Sequence, residues 1–574
     1  MAVSPVQLLR VDMSRMSVES EPLPEAWTLL GGRALSSRIL LEECDATCDP
    51  LGPENLLIFA GGVLGGTAAP TSGRLSVGAK SPLTGGIKEA NAGGNPAQHL
   101  ARLGYRAIVV SGQPADPDAR FGLEVDEQGA RLVAADELKG LWTYATCERL
   151  AELYSKQASF ICCGPAGELR LGGASVACTD QESRHPTRHA GRGGMGAVMG
   201  AKGLKFVAVE PGKTRLRRAA QHEEFLALGK KFGRAYRDGP QPFAKGTVVG
   251  VQFANVIHSL PTRNRIAGQS SHVDTLDGNL IYESLAERGG GMHNCLTGCV
   301  VQCSNVVHDA EGNYKTSALE FETLALLGAN CDVEHWDDVA DLDRLCDELG
   351  LDTIETGAAI AILMEAGRMK WGDVDSMKAL FYEIAEGSEL GRAIGGGAVA
   401  TGRYTGHHRV PAVKGQAIPA WDPRPLKATG ATYATSAMGA DHTAGLLLET
   451  GMPVEDCAQH SQEKQIVNAI CDGSGFCEFI GPTPDDIRIF YGFMIGREVS
   501  REEIADLGWQ VLEDEWEFNR RAGFTVADDV LPECMLTDPV GPASDVFDLP
   551  AEVLADVKVR KPLRPELFSI KAAG

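Results

Sequence analysis

Residues 293–303 read HNCLTGCVVQC and place Cys295, Cys299 and Cys303 within nine positions. Three chemistries compete for such a run: a disulfide patch, a zinc site or an iron–sulfur cluster. On one continuous helix Cys295 and Cys303 would stand roughly 12 Å apart along the axis, too far for one compact site. Gly298 and the preceding RGGGMHN favour a curled loop in which the thiols converge. The chain has 15 cysteines, an odd number, and its start shows no export signal, which argues against a disulfide framework. A zinc site prefers paired C-x2-C knuckles or histidines at set spacing; His293 and His308 flank the run and keep that reading open. A cubane needs a fourth cysteine, for which Cys471 and Cys477 in NAICDGSGFCEF are the candidates.

Length and charge narrow the setting. At 574 residues the chain exceeds one hydrophobic core and implies several domains. Its net charge of −23 argues against nucleic-acid partners. Residues 1–22 lack the apolar core of a signal peptide, and no run is long enough to span a bilayer, so a cytoplasmic location is expected.

The texture changes along the chain. Residues 1–212 are rich in short β-type runs such as NLLIFAGG, YRAIVVSG and LKFVAV, with glycine pairs at 31–32, 61–62, 65–66, 85–86, 93–94, 172–173 and 193–194. Such glycines let backbone approach a large ligand. From there on, HEEFLALGKKFGRAYR, DDVADLDRLCDELG and VDSMKALFYEIAEG carry apolar residues at helical spacing. The fold expected is α+β and multidomain: a β-rich domain over 1–212, then helical domains over 213–410 and 411–574. The break falls near GHHRVPAVKGQAIP, and a Pro- and Asp-rich tail from about 536 is expected to wrap the surface.

Two acidic motifs share the form D-x-x-G-[LF]-[DC]: DELGLD (347–352) and DGSGFC (472–477). Gly350 reads as a helix C-cap, which puts Asp347 in a last turn, where negative charge opposes the helix dipole. A residue set against local preference invites a ligand with N–H donors. Two copies invite a ligand with two similar halves.

Taken with GGRAL (31–35), GRLSVGAKSPLTGGIKEANAGG (73–94) and GRGGMGAVMGAKGLKFVAV (191–209), these motifs resemble the tungsten-dependent aldehyde:ferredoxin oxidoreductase family over nearly the whole chain. The resemblance implies tungsten or molybdenum held by two pyranopterins, a nearby [4Fe–4S] cluster and Mg2+ bridging the pterin phosphates. It implies that the first domain is the base for the pterins. Cys295, Cys299, Cys303 and Cys477 would ligate the cluster, and Arg74 would lie between cluster and pterin. Asn91, Ala92, Gly93, Arg192 and Gly193 would line the phosphate side. Asp347, Gly350, Leu351 and Asp352 would bind one pterin, and Asp472, Gly475 and Phe476 the other. Glu322 and His442 would serve as proton acceptor and hydrogen-bond donor to an aldehyde being oxidised to its acid. Glu320, two residues before Glu322, is the neighbouring candidate for that carboxylate. Expected partners are ferredoxin or a small iron–sulfur subunit, in some cases with a flavin subunit, in an oligomeric assembly.

Two features depart from the family pattern. The first cysteine gap is C-x3-C where many members have C-x2-C, and the one E-x-x-H sequence noted, Glu182–His185, lies in the first domain rather than the middle one. Two further readings stand beside aldehyde oxidation. A tungsten-dependent aromatic acyl-CoA reductase would need a protein thiolate on the metal, with Cys471 or Cys331 as donor. A noncatalytic iron–sulfur relay would have no use for Asp347, Asp472, Glu322 or His442.

Overall fold

A computed structural model describes residues 6–571. The first part of the chain builds two six-stranded sheets. Strands β1 (Gln7–Asp12), β2 (Ser17–Pro22), β3 (Leu57–Gly61), β4 (Leu75–Lys80), β5 (Ile87–Ala92) and β6 (Tyr105–Ser111) line up in the order β2-β1-β6-β3-β4-β5. Strands β7 (Phe121–Asp126), β8 (Gly129–Ala134), β9 (Ser159–Cys163), β10 (Val176–Cys178), β11 (Arg188–Ala190) and β12 (Leu204–Val209) line up as β8-β7-β12-β9-β10-β11. The second order is the first with every label advanced by six. In each sheet the first and last strands form the one parallel pair, β1 with β6 and β7 with β12, and all other pairs are antiparallel. Helix α1 (Gly32–Glu43) enters β3 as α2 (Thr143–Leu153) enters β9. Short helices Pro96–Arg102 and Met195–Ala201 enter β6 and β12 in the same way. The β-rich region is therefore one unit built twice. Leu57, Phe59, Ile108, Val110, Ile161 and Val207, all fully buried, pack the strands between layers.

The rest is mainly helical: α3 (His222–Asp238), α4 (Trp336–Leu349), α5 (Thr353–Glu365), α6 (Val454–Ser474) and α7 (Arg501–Arg521) carry most of it. In α4, Trp336, Val339, Ala340, Leu342, Cys346 and Leu349 recur at helical spacing on the buried face. In α5, TIETGAAIAILME is buried from Ile354 to Met364, as an all-round apolar helix must be. The expected break near 406–419 is a hairpin, Ala412–Val413 against Gln416–Ala417.

The tail from about 536 runs mostly exposed over the surface, as expected, and is pinned by Phe547, Leu549, Leu554 and Val557, which pack into a core with Tyr433 and Cys457. Among the described residues no helix is long and apolar enough to cross a membrane.

Candidate active site

Both acidic motifs end helices in the same way. Gly350 closes α4 at φ +70° and Gly475 closes α6 at φ +87°, a conformation glycine adopts without strain. The residue two further on then starts the next element: Asp352 caps α5 through Ile354 N, and Cys477 precedes the turn Glu478–Ile480.

Each motif docks on one copy of the repeated sheet through equivalent residues. The strand ends Gly61 and Cys163 are followed by Gly62 and Gly164. A Cβ on Gly62 would come 2.2 Å from Gly475, and one on Gly164 2.3 Å from the carbonyl of Leu349, so only glycine permits either contact. The residue before β4, Arg74, donates its backbone N–H to Gly475 O at 3.1 Å; the residue before β10, Ser175, donates to Gly350 O at 2.8 Å. The register aligns Ser76 with Asn91 and Ala177 with His189, which makes Asn91 and His189 counterparts.

The side chains of the two cradles have diverged. On the Asp472 side, Arg33 of α1 makes a two-pronged ion pair with Glu515 of α7, both contacts at 2.8 Å, and turns Nη1 toward Asp472 at 3.5 Å. Arg74 donates through Nε to the Asn91 amide oxygen. Burial and then the neighbouring Glu89 push the Asp472 carboxyl well above the usual range, against the pull of Arg33. On the Asp347 side, Tyr144 takes the place of Arg33, and Thr143 donates to Asp347 O at 2.7 Å. His189 Nε2 lies 3.0 Å from Asp347 Oδ1 and 2.9 Å from Pro186 O. Both are acceptors, so Nε2 carries the proton, and Nδ1 faces the Ser175 hydroxyl at 2.7 Å. Asp347 Oδ2 and Arg33 Nη1 are buried without partners, one orphan atom in each cradle.

The cysteine run is a loop, as its glycine predicts: Gly298 has φ +83°. Thr71, itself at φ +58°, staples it to the second motif. Its N–H donates to Gly298 O (3.0 Å), its carbonyl accepts from Cys477 N (2.9 Å), and its hydroxyl accepts from Val300 N (3.1 Å). Gly94 N donates to Cys295 O at 3.1 Å, which ties the loop to the end of β5 as well.

Cys295, Cys303 and Cys477 all act on the Arg74 guanidinium, and with Asp472 they keep it charged against the cost of its burial. The neighbouring thiols of Cys295 and Cys299 influence each other, which raises Cys295 and lowers Cys299. Burial pushes Cys477 up to about 11, with Arg74 opposing. Four thiols thus meet beside a buried cation. No group of three or more His, Cys, Asp or Glu among the described residues is close enough to hold a single metal ion. A cubane spaces its four sulfurs more widely than one ion does, and the zinc reading loses its histidines to other bonds. His293 bonds Asp180 at 3.0 Å, and His308 bonds Arg288 O at 3.1 Å. Cys471 stays in the core, bonded to Phe476 O.

Glu322 and His442 lie across the cradles from the thiols. Glu322 sits on the turn Phe321–Thr323, which runs into a π-helical turn, Leu324–Gly328. Its Oε2 accepts from Ala420 N at 2.6 Å, while Oε1 faces His442 Nδ1 at 3.9 Å, and neither of those two atoms has a hydrogen-bond partner. At that distance they do not bond each other, so both are free to engage a third group. Glu320 points elsewhere: it accepts from Thr247 and lies near Arg188 and Cys303.

His442 is fixed by its neighbour Asp441, which caps the turn through Thr443 N and forms a fully buried ion pair with Lys88 of β5. Lys88 and Arg192 hold the Asp441 carboxyl far below its usual range although burial opposes them. Arg192 donates to Ala440 O and Ala417 O, both at 2.5 Å, and approaches Asp352 at 3.5 Å. Glu355 accepts from Ala398 N and Ala417 N; burial, then Asp352, raises it to about 7.

The remaining sequence candidates divide. A Cβ on Gly93 would lie 3.3 Å from Cys295 Sγ, and one on Gly193 would strike Lys88 at 2.4 Å, so both stand at the site. Ala92 pairs with Leu75, and Leu351 bridges to Ala174. Phe476 turns its ring into a cluster with Phe232 and Phe490, so only its backbone is left for a ligand. His185 stacks on Tyr314 at 4.4 Å. Arg33, Thr71, Lys88, His189 and Glu355 were not singled out from sequence. The paired strings NAGG (91–94) and HAGRGG (189–194) were the available sign of His189.

Comparisons with known proteins supply the family. Residues 8–211 match the family described as aldehyde ferredoxin oxidoreductase, N-terminal domain, and residues 228–556 match its domains 2 and 3. The tungsten-containing aldehyde ferredoxin oxidoreductase of Pyrococcus furiosus is 32% identical over 93% of this chain and 92% of its own. That of Thermococcus kodakarensis is also 32% identical with the same coverage. A Pyrococcus furiosus protein named aliphatic sulfonate oxidoreductase, WOR-like subunit, is 25% identical over 88% of this chain and 84% of its own. Among solved structures, the active-site complex of benzoyl coenzyme A reductase with 1,5-dienoyl-CoA superposes with a TM-score of 0.82. It covers 97% of this chain and 94% of its own at 19% identity, a likeness of fold. With both family models matched across most of its length and relatives at 32% identity over 93% of it, the chain belongs to the aldehyde ferredoxin oxidoreductase family.

Proposed function

We propose that this protein oxidises small aldehydes to carboxylic acids with a tungsten or molybdenum bis-pyranopterin. The electrons would leave through a [4Fe–4S] cluster to ferredoxin or a small iron–sulfur subunit. The observation that carries the reading is the pair of unpartnered atoms, Glu322 Oε1 and His442 Nδ1, 3.9 Å apart. The polar groups present fit the cofactor: each cradle offers a buried carboxylate for pterin N–H donors, and four thiols suit a cubane. Cys295, Cys299, Cys303 and Cys477 would hold the cluster, Asp347 and Asp472 one pterin each. Asn91, Ala92, Gly93, Arg192 and Gly193 would lie toward the phosphates and their Mg2+. The bound cofactor would supply the two-electron change; the protein orients the substrate and moves its protons.

His442 donates a hydrogen bond to the aldehyde oxygen and draws electron density from its carbon. Glu322 Oε1 accepts the proton of the water that adds there, while Oε2 stays anchored on Ala420 N. Asp441, clamped by Lys88, fixes the ring of His442. Aromatic acyl-CoA reduction is the less supported reading. Cys331 donates to Leu326 O and Gly357 O inside the core, Cys471 to Phe476 O, and burial raises both thiols.

The test is metal analysis of the anaerobically purified protein together with viologen reduction by aldehydes. Tungsten or molybdenum with cluster iron is expected, and Glu322→Gln should cut turnover by about 10²–10⁴ while leaving metal content intact. Zinc alone, or turnover of benzoyl-CoA without aldehyde turnover, would overturn the reading.

A further inference from the structure

The chain is strongly acidic, yet its charge is not evenly spread. Residues 213–245 contain nine Lys or Arg against three Asp or Glu, a net +6, which leaves −29 on the remainder of a chain of −23. Helix α3 carries the core of this basic segment. Lys230, Lys231, Arg234 and Arg237 are all exposed, and among the described residues none of them forms an ion pair. Lys230, Arg234 and Arg237 are spaced i, i+4, i+7 and form one stripe.

The opposite side of α3 rests on the cysteine loop. Phe232 packs on Phe476 at 5.5 Å, and a Cβ on Gly233 would come 3.9 Å from Val300. Tyr236 and the half-buried Cys303 share the same cluster of side chains, and the Tyr236 hydroxyl has no partner. Beyond the helix, Phe243 stacks at 4.1 Å on Phe479, two residues after Cys477. At the loop tip Thr297 and Gly298 are exposed. One helix thickness therefore separates an unneutralised cationic stripe from the thiols.

We propose that the stripe Lys230–Arg234–Arg237 is the docking surface for a small acidic electron-carrier protein of ferredoxin type. The inference rests on the reading of the four thiols as cluster ligands and adds where and by what force the carrier binds. Charge complementarity selects the partner. A carrier of net negative charge is repelled by the net negative remainder of the chain and attracted beside the thiols, so encounter and correct placement coincide.

The experiment uses the holoenzyme, a recombinant two-cluster [4Fe–4S] ferredoxin of net negative charge, and saturating benzyl viologen, a small dication that needs no protein docking surface, as the control. The triple variant K230E/R234E/R237E should raise KM for ferredoxin about tenfold or more at low ionic strength and leave viologen turnover unchanged. The gap should close at about 1 M salt, where the Debye length falls to about 3 Å. An unchanged KM for ferredoxin, or wild-type ferredoxin turnover insensitive to ionic strength, overturns the proposal. So does a change in self-association on sedimentation with ferredoxin kinetics unmoved, which would make the stripe a contact between copies. If no aldehyde reduces viologen, the functional reading fails separately, and calorimetric titration of ferredoxin into the holoenzyme still decides. Binding that weakens about tenfold in the variant supports the surface, and no binding to the wild type removes it.

Discussion

The Asp347 and Asp472 cradles share a backbone and differ in their charges. Both use a helix ended by a left-handed glycine, a second glycine in contact at a strand end, and one N–H···O bond from the residue before the next strand. Around that common frame, one side places Arg33 and Arg74 where the other places Tyr144 and Ser175. Position six of the motif explains the divergence: it is Cys477 on one side and Asp352 on the other. Cations stand where the thiols gather, and the buried Arg74 faces Cys477, Cys295 and Asp472. Away from the thiols, a histidine and a serine suffice to hold the carboxylate.

The comparison can be broken at three strengths. The strongest cut is at position six. Cys477→Ala should abolish cluster absorbance and cluster iron, while Cys471→Ala should leave both in place. Asp352→Ala should remove a helix cap worth about 1 kcal/mol together with the carboxylate facing Arg192, measured as a shift of the urea midpoint with the cluster spectrum retained. Equal loss of cluster in the Cys477 and Asp352 variants would erase the asymmetry.

The second cut removes the cation. Arg33→Met leaves Glu515 and Asp472 buried without their partner and should cost about 3–5 kcal/mol in denaturant unfolding. Its counterpart Tyr144→Phe loses one hydroxyl contact, to Tyr314 at 3.2 Å, and should cost about 1 kcal/mol. Comparable losses would show that the two cradles carry equal electrostatic load.

The smallest effect concerns pH. Glu355, raised to about 7, has no carboxyl counterpart on the other side, where Ile480 stands at the equivalent place. The folded protein binds this proton more tightly than the unfolded chain, so its contribution to stability is present at low pH. It declines as pH rises from the ordinary carboxyl range through about 7. Glu355→Gln should remove that decline, seen as a flatter dependence of the urea midpoint on pH between 5 and 8. An unchanged slope would assign the decline to other groups.

How much of this was legible follows from distance along the chain. The glycine cap at Gly350 and the curl at Gly298 were readable, because a helix end or tight loop is set by a few adjacent residues. The doubled sheet was not: its halves keep the strand order but little sequence beyond NAGG and HAGRGG. The pairs that position the site join residues far apart, Arg33 with Glu515 and Lys88 with Asp441, and no local pattern announces them. Glu322 and His442 came from the family resemblance, and the fold sets them side by side while turning Glu320 toward Cys303. The surface path of the tail was legible from its prolines and aspartates; its anchors Phe547, Leu554 and Val557 were not, because single apolar residues show no period.

The staple at Thr71 also sets an order of events during synthesis. A nascent chain that stops short of residue 477 presents three thiols on a loop whose anchor at Thr71 is already made, but the carbonyl of Thr71 still waits for Cys477 N. Translation runs from the N-terminus, and domains fold in that order. The thiol set is therefore completed only after about four-fifths of the chain has left the ribosome. On the reading of these thiols as cluster ligands, whatever loads the site in the cell has to act late, after Cys477 has been made.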